Sequence, residues 1–148
     1  MQPSYSAQET SKQPASNSLP TILFVCEHGA AKSVIAAAYF NKLAKQRGIN
    51  YQAISRGTSP DPMLSPATEK GLKEDGIDIT SLKPVLITDN DLDQAAQIIT
   101  FACPLPNNTA LKGKVTEWNN VPAVSEDYQT ARNEILRRVE QLMEKLTK

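Results

Sequence analysis

The feature that most constrains the fold is a short apolar run followed at once by a loop of small residues and an alanine-rich segment. Thr21–Cys26 is apolar and β-branched without alternation, which is typical of a strand buried on both faces. Glu27–Ser33 is a short, glycine-containing loop, and Val34–Arg47 predicts a helix that ends at Gly48. A strand, loop and helix in this order indicate an open α/β sheet, in which ligands bind beyond the carboxyl ends of the strands.

The rest of the chain alternates strands and helices in the same way. The predicted elements are strands at 51–55, 97–102 and 114–118 and helices at 64–75, 90–95 and 126–146. In the last helix, apolar residues recur at three- and four-residue steps and mark one core-facing stripe, which consists of Ala131, Ile135, Val139, Leu142 and Leu146. Strands that alternate with helices predict a parallel sheet with right-handed crossovers.

The composition argues against two classes of partner. The 148 residues include 16 basic and 16 acidic side chains, so no net charge attracts nucleic acid or an anionic membrane surface. The sequence also contains no apolar run of about 18 residues, the length that a membrane-spanning helix requires. We therefore expect neither a nucleic-acid partner nor a membrane partner.

The first part of the chain differs in composition from the remainder. Residues 1–19 are rich in Ser, Gln, Pro and Asn, which predicts a disordered tail, and residues 20–148 then form a single domain. The tail has no apolar segment of the kind found in secretory signals. Two cysteines, Cys26 and Cys103, are too few for a disulfide framework and fit a reducing compartment. We therefore expect a cytoplasmic protein.

The loop between the first strand and the first helix has the properties of an anion site. Its amides can converge on one point, and the helix N-terminus adds positive potential, so a tetrahedral phosphate or arsenate would fit there. The Cys26 thiol would lie beneath the anion, where the same potential favours the thiolate. Lys32 adds a positive charge, and Ser33 can donate its hydroxyl to the sulfur. Gly29 provides the left-handed backbone that such a loop requires.

Four segments resemble the low-molecular-weight phosphotyrosine phosphatase superfamily, which includes the thioredoxin- and thiol-coupled arsenate reductases. ILFVCEHGAAKSVIAAAYFNKLA resembles its Cys-x5-Arg-Ser loop and AISRGT its Ser-Ala-Gly-Thr turn. ATEKGLKEDGIDI resembles its helix ending in Gly-Ile-Asp, and TDNDLDQAAQIITF the stretch that leads into the third strand. The resemblance covers roughly residues 20 to 146. It implies an α/β domain with a four-stranded parallel sheet flanked by helices, wound as in flavodoxin.

The resemblance also implies roles for individual residues. Cys26, Lys32 and Ser33 would be catalytic, with Cys26 as the nucleophile. The oxyanion would be held by the loop residues Glu27, His28, Gly29, Ala30, Ala31 and Lys32. This chemistry requires neither a metal nor a cofactor, and we expect none.

Two departures from the superfamily pattern bear on activity. Lys32 replaces the arginine that ends the loop, and a lysine is a point charge without the planar fork that grips two oxygens. The family's phosphatases also use an Asp, usually followed by Pro, before the last helix as general acid. Here Ala123-Val124 lies nearest that position, and Asn119 and Asn120 cannot protonate a leaving group. Loss of a general acid typically lowers the rate by about 10²–10⁴-fold for a poor leaving group.

Cys103 ends the third predicted strand, which should neighbour the first, so Cys26 and Cys103 should share one edge of the sheet. Cys103 is therefore either a resolving thiol for an oxidised or arsenylated Cys26 or a small buried hydrophobic residue.

Several other residues have both a functional and a purely structural interpretation. His28 either influences the reactivity of Cys26 or contacts substrate, or it is only a loop side chain. Arg56 either adds positive charge near the site or is an exposed loop residue. Trp118 either lines the pocket or packs in the core. Glu126 and Asp127 are possible substitute acids, but acids are common in a first helical turn, for which Ser125 is the predicted N-cap.

Three functions from different classes follow from these features. The first is hydrolysis of phosphate monoesters, of the protein phosphotyrosine type, through a cysteinyl-phosphate. The second is arsenate reduction, with Cys103, thioredoxin, glutaredoxin or a small thiol completing the cycle. The third is a phosphatase-like module that binds an anion or a phosphoprotein with little turnover. Lys32 and the missing acid favour the second and third, whereas the intact Cys, Gly and Ser favour retained thiol chemistry.

Overall fold

The computed structural model describes residues 19–105 and 113–147, so the predicted tail at 1–19 lies outside the described residues apart from Leu19. Four strands and four helices are present in these ranges. In chain order they are β1 (Thr21–Cys26), α1 (Lys32–Arg47), β2 (Gln52–Gly57), α2 (Pro66–Glu74), α3 (Asp89–Gln94), β3 (Ala95–Thr100), β4 (Val115–Glu117) and α4 (Tyr128–Leu146).

The four strands form one parallel sheet in the order β2-β1-β3-β4. This arrangement confirms the predicted α/β fold and the predicted neighbourhood of the first and third strands. β1 lies in the centre, with Cys26 paired to Gly57 of β2 and Val25 paired to Thr100 of β3. The carboxyl ends of these three strands therefore meet at one edge of the sheet, where α/β proteins bind their ligands.

The two faces of the sheet bury two separate apolar clusters. The larger one lies under α1 and α4 and includes Phe24, Phe40 and Ile135, each fully buried. The smaller one lies on the opposite face and consists of Leu23, Val25, Ile87, Leu92, Ala95, Ile98 and Cys103. Because successive side chains of a strand point to opposite faces, Cys26 belongs to the larger cluster although Val25 belongs to the smaller one.

Element boundaries differ from the predictions by one or two residues; β3, for example, is Ala95–Thr100 instead of 97–102. α1 begins at Lys32, two residues earlier than predicted, and α4 begins at Tyr128 instead of 126. Ser125 is not the N-cap of α4, because the Asp127 carboxylate accepts from the Thr130 amide and occupies that position. The predicted stripe of α4 is buried from Ala131 to Leu142, whereas Leu146 is half-buried.

A polar cluster around Asp75, the C-cap of α2, connects three helices. Its carboxylate accepts hydrogen bonds from Tyr39 of α1 and from Tyr128 and Arg132 of α4. Burial disfavours the charged carboxylate, but these donors outweigh it and lower the pKa of Asp75. The cluster thereby connects the end of α2 to α1 and α4. No helix in the described ranges is long and apolar enough to cross a bilayer.

Candidate active site

The predicted loop connects the end of β1 to the start of α1. One of its residues, Gly29, packs against Gly57 at the end of β2. Gly29 has φ of 59°, the left-handed backbone predicted for it. A Cβ on Gly29 would lie 3.0 Å from Gly57, and a Cβ on Gly57 would lie 2.8 Å from the Gly29 amide nitrogen. The two backbones therefore approach so closely that neither position has room for a side chain.

The carbonyl groups of the loop point away from its centre because the segment 58–65 binds them from outside. The four hydrogen bonds run from Thr58 N to Cys26 O (3.3 Å), Ser59 N to Glu27 O (2.7 Å), Asp61 N to His28 O (3.0 Å) and Ser65 N to Ala30 O (3.1 Å). Among the described residues, no protein group accepts from the amides of residues 28 to 31. Successive free amides of this kind form an anion-binding nest, and the N-terminus of the 16-residue helix α1 adds to its positive potential.

The Cys26 sulfur contacts a chain of two hydroxyl groups. The thiol is 9% exposed, and its Sγ lies 3.0 Å from Oγ of the fully buried Ser33. Ser55 Oγ donates to Ser33 Oγ at 2.7 Å. Because Ser33 accepts from Ser55, its own hydroxyl hydrogen is free to point at the sulfur, where it would stabilise a thiolate.

A cavity of about 350 Å³ opens above Cys26. One wall is apolar and includes Phe101, Ala102 and Val124, and polar groups lie around the remainder. Of the predicted site residues, the cavity is lined by Cys26, Glu27, His28, Ala30, Ala31, Lys32 and Cys103. Gly29 and Ser33 do not line it; both are buried, Gly29 against Gly57 and Ser33 behind the sulfur.

Lys32 is the first residue of α1 and lines this cavity. It is half-buried, and no carboxylate of the described residues lies within ion-pairing distance of it. Its charge is therefore available to a bound anion. The lysine ammonium attracts an anion electrostatically, but it cannot form the bidentate hydrogen bonds that an arginine guanidinium forms with two oxygens.

The segment before α4 contributes no acid to the cavity. Its lining residues are Ala123, Val124 and Ser125, none of which carries a carboxylate. Asp127 caps α4, and hydrogen bonds from Thr130 lower its pKa. Glu126 is exposed and outside the cavity lining. Neither of these two carboxylates therefore occupies the position of a general acid.

Cys103 lies beyond the end of β3, buried in the smaller apolar cluster, and also lines the cavity. Its Sγ lies 3.8 Å from the carbonyl oxygen of Val25, the residue before Cys26. Burial, followed by the charge of the nearby Cys26, raises the pKa of Cys103 to about 11. The preceding residue, Ala102, has φ of 54°, a left-handed conformation that costs a non-glycine residue roughly 1 kcal/mol.

Three other residues had both a functional and a structural interpretation. The structure places His28 at the cavity and gives Arg56 and Trp118 structural roles. His28 Nδ1 lies 3.2 Å from a carboxylate oxygen of Asp61, at the cavity. Arg56 is partly buried in β2 and pairs with Asp91 at 2.9 Å, so it is neither exposed nor part of the site. Trp118 packs edge-on against Phe101 with ring centroids 5.7 Å apart and does not line the cavity.

Several residues at the site were not identified from the sequence, among them Ser55, Asp61, Ser65 and Phe101. Ser55 and Phe101 lie at the ends of predicted strands that neighbour the first, so the shared sheet edge was the available signal. Asp61 and Ser65 follow β2 in the segment that binds the loop carbonyls. Among the described residues, no group of three or more His, Cys, Asp or Glu side chains is placed to hold a metal ion.

Solved structures of other proteins share the fold of this chain. YfkJ from Bacillus subtilis superposes with a TM-score of 0.75 at 20% identity, covering 90% of this chain and 98% of that protein. The low molecular weight protein tyrosine phosphatase from T. tengcongensis gives 0.74 at 22% identity, covering 85% and 99%. The thioredoxin-dependent arsenate reductase of Corynebacterium glutamicum gives 0.69 at 23% identity, covering 90% and 64%. At these identities the likeness establishes the fold.

A search of curated proteins finds no match to this sequence. The sequence model of the family described as low molecular weight phosphotyrosine protein phosphatase does match it, over residues 21–117. The match covers about two thirds of the chain and includes the anion loop, β2 and β3. The chain therefore belongs to the low molecular weight phosphotyrosine protein phosphatase family.

Proposed function

We propose that this protein hydrolyses phosphate monoesters, of the phosphotyrosine type, through a phosphorylated Cys26. The observation that carries the proposal is the position of the Cys26 thiol, which contacts the Ser33 hydroxyl at 3.0 Å at the base of a nest of free amides. The same cavity has an apolar wall that includes Phe101 and Val124, which suits the ring of an aryl phosphate. A phosphoprotein is accordingly the proposed partner.

The reaction follows from this arrangement. The phosphoryl oxygens accept from the amides of residues 28 to 31, and Lys32 offsets their charge. The Cys26 sulfur attacks phosphorus, the bond to the leaving oxygen breaks, and its electron pair leaves with that oxygen. Water then attacks phosphorus, the sulfur–phosphorus bond breaks, and the electron pair returns to the sulfur. Ser33 stabilises the thiolate both as nucleophile and as leaving group.

An assay of purified protein with an activated aryl phosphate, beside a Cys26→Ser variant, tests the proposal. We expect turnover in the wild type, release of inorganic phosphate, and a phosphocysteine that can be trapped by rapid acid quench. Cys26→Ser should show none of these while still binding phosphate. Absence of wild-type turnover on activated aryl phosphates, with intact phosphate binding, would instead support an anion- or phosphoprotein-binding module.

Arsenate reduction is the second candidate, because Cys103 lines the same cavity as Cys26. In that reaction the Cys26 sulfur would bond to arsenic(V) as an arsenic–oxygen bond breaks and water leaves, and the Cys103 thiolate would then attack the Cys26 sulfur to form a disulfide. The bonding electrons would pass to arsenic and release arsenite; thioredoxin, glutaredoxin or a small thiol would then reduce the disulfide. The raised pKa of Cys103, about 11, and its packing on the opposite face of the sheet disfavour this route.

Arsenate with thiols provides the discriminating assay. A resolving Cys103 would give a Cys26–Cys103 disulfide detectable by peptide mass, and Cys103→Ser would abolish arsenite formation without affecting phosphatase turnover. We expect Cys103 to stay reduced. Both cysteines are free in the structure, and a reducing compartment such as the cytoplasm would keep them so.

A further inference from the structure

The cavity lacks an acid in the segment before α4, but it has a different group that can transfer a proton. His28 lies two residues after Cys26 and lines the same cavity, and its side chain is 59% exposed, so a substrate can reach it. Imidazole is the side chain most often used for proton transfer near neutral pH. Because the segment 123–125 carries no ionisable side chain, His28 has no competitor on that wall.

Asp61 positions this imidazole in two ways. Its carboxylate oxygen Oδ1 lies 3.2 Å from His28 Nδ1, and its backbone amide donates to the His28 carbonyl at 3.0 Å. With the carboxylate at Nδ1, the second nitrogen, Nε2, is the one that can face a substrate. Asp61 therefore contacts His28 through both its backbone and its side chain.

Several charged groups lie around His28. Glu27 Oε1 lies 3.8 Å from Nε2, and Asp61 Oδ1 lies 3.2 Å from Nδ1, so a carboxylate is near each ring nitrogen. Lys32 and the Cys26 thiol line the same cavity. The imidazole therefore lies beside the groups that would bind and attack a phosphate ester.

We propose that His28, positioned by Asp61, is the general acid of this phosphatase; the inference rests on the phosphatase function proposed above. As Cys26 attacks phosphorus and the ester bond breaks, His28 Nε2 gives its proton to the leaving oxygen, which departs as a neutral alcohol or phenol. In the second step, the neutral imidazole takes a proton from the water that attacks the phosphocysteine. His28 is thereby protonated again, and no other reactant is needed.

A series of aryl phosphates with progressively poorer leaving groups tests the assignment. His28→Gln should reduce kcat/KM for phenyl phosphate by about 10²–10⁴-fold, the usual contribution of a general acid, and should change kcat/KM little for an activated nitrophenyl or fluorinated ester. Phosphate-induced thermal stabilisation should be retained, which shows that the loop is intact. Glu126→Gln, an exposed acid outside the cavity, is the matched control and should leave the leaving-group dependence unchanged.

Asp61→Asn separates a positioning role from a structural one. It should give a smaller loss for phenyl phosphate than His28→Gln. That loss should be confined to poor leaving groups, a selectivity that a merely structural role of Asp61 would not produce. The double variant His28→Gln/Asp61→Asn should be no slower than His28→Gln alone, since Asp61 acts only through the imidazole.

Three results would overturn the assignment. The first is an equal loss of kcat/KM across all leaving groups in His28→Gln, which would indicate a binding role. The second is a selective loss for poor leaving groups in Glu27→Gln or Asp61→Asn but not in His28→Gln, which would make a carboxylate the acid. The third is a wild type without turnover even on activated esters, in which case the proposed phosphatase function itself fails.

Discussion

Cys26 and Cys103 lie at the carboxyl ends of neighbouring parallel strands and line the same cavity, yet the atoms around the two sulfurs differ. The Cys26 sulfur lies beside a hydroxyl donor, Ser33, and beneath a loop with free amides. The Cys103 sulfur lies beside a carbonyl acceptor, that of Val25, within an apolar cluster. Burial raises the pKa of Cys103 to about 11, so this thiol stays neutral near neutral pH, whereas the Cys26 sulfur has a hydroxyl donor beside it.

The comparison shows that position at the ligand-binding edge of an α/β sheet does not by itself make a cysteine reactive. β1 leads into a loop whose carbonyls are bound from outside, so that its amides remain free for an anion. β3 instead continues through the left-handed Ala102, and the next side chain packs on the opposite face of the sheet. The backbone after each strand therefore determines the chemistry of its cysteine.

The two cysteines should differ most in phosphatase turnover. Cys26→Ser should reduce kcat for an activated aryl phosphate by about 10⁴-fold or more, because it removes the nucleophile. Cys103→Ser should leave kcat within about twofold, because hydrolysis does not require the second sulfur. Comparable losses in both variants, at equal thermal stability, would contradict the separation of roles.

The loop backbone can be tested with two glycine variants. Gly29→Ala and Gly48→Ala both place a side chain at a positive φ, 59° and 66°, and each should cost roughly 1–2 kcal/mol of stability. Only Gly29→Ala also meets a backbone neighbour, Gly57, at 3.0 Å, whereas nothing lies within 4 Å at Gly48. Gly29→Ala alone should therefore lose the rise in melting temperature that phosphate produces. Retention of that rise would show that the nest does not bind the anion.

The hydroxyl chain beneath Cys26 should have a graded effect. Ser33→Ala should lower kcat about 10–100-fold, because a hydrogen bond to a charged group contributes about 1.5–3 kcal/mol. Ser55→Ala should have a smaller effect, because Ser55 reaches the sulfur only through Ser33. Steady-state kinetics with one activated ester would measure both. A larger loss in Ser55→Ala than in Ser33→Ala would contradict the proposal that Ser55 acts on the sulfur through Ser33.

Lys32→Arg should have the smallest effect of the four and the opposite sign. A planar fork can contact two oxygens of the anion, so phosphate affinity should rise by up to about tenfold, equal to about 1.4 kcal/mol. Isothermal titration with phosphate would measure it, with Lys42→Arg on the exposed side of α1 as control. Weaker binding in Lys32→Arg would show that the loop is shaped around the lysine.

The fold and the centre of the site were accessible from the sequence because both depend on local patterns. The buried run of β1, the small residues of the loop and the alanines of α1 lie next to one another in the chain, and they specify the strand, the loop and the cysteine at its start. The stripe of α4 was equally clear because helical periodicity is local. Its N-cap was predicted wrongly, because Ser125 and Asp127 are both good caps and only the path of the chain selects Asp127.

The rest of the site depends on contacts between distant segments. Ser55 is one polar residue in a strand, and only the pairing of β1 with β2 brings its hydroxyl to Ser33. Asp61 approaches His28 because the segment after β2 binds the loop carbonyls, an arrangement that no local pattern indicates. Arg56 was expected in an exposed loop, but β2 extends to Gly57 and α3 provides its partner Asp91.

Iodoacetamide labelling at neutral pH, followed by peptide mass analysis at low conversion, tests the central claim most directly. With a pKa of about 11, Cys103 carries a thiolate in about one molecule in 10⁴ at pH 7, and its labelling should increase only as the pH approaches 11. We expect Cys26 to be labelled first at pH 7 and to be protected by millimolar phosphate. Equal labelling of the two cysteines at pH 7, or labelling of Cys26 that phosphate does not slow, would contradict the account.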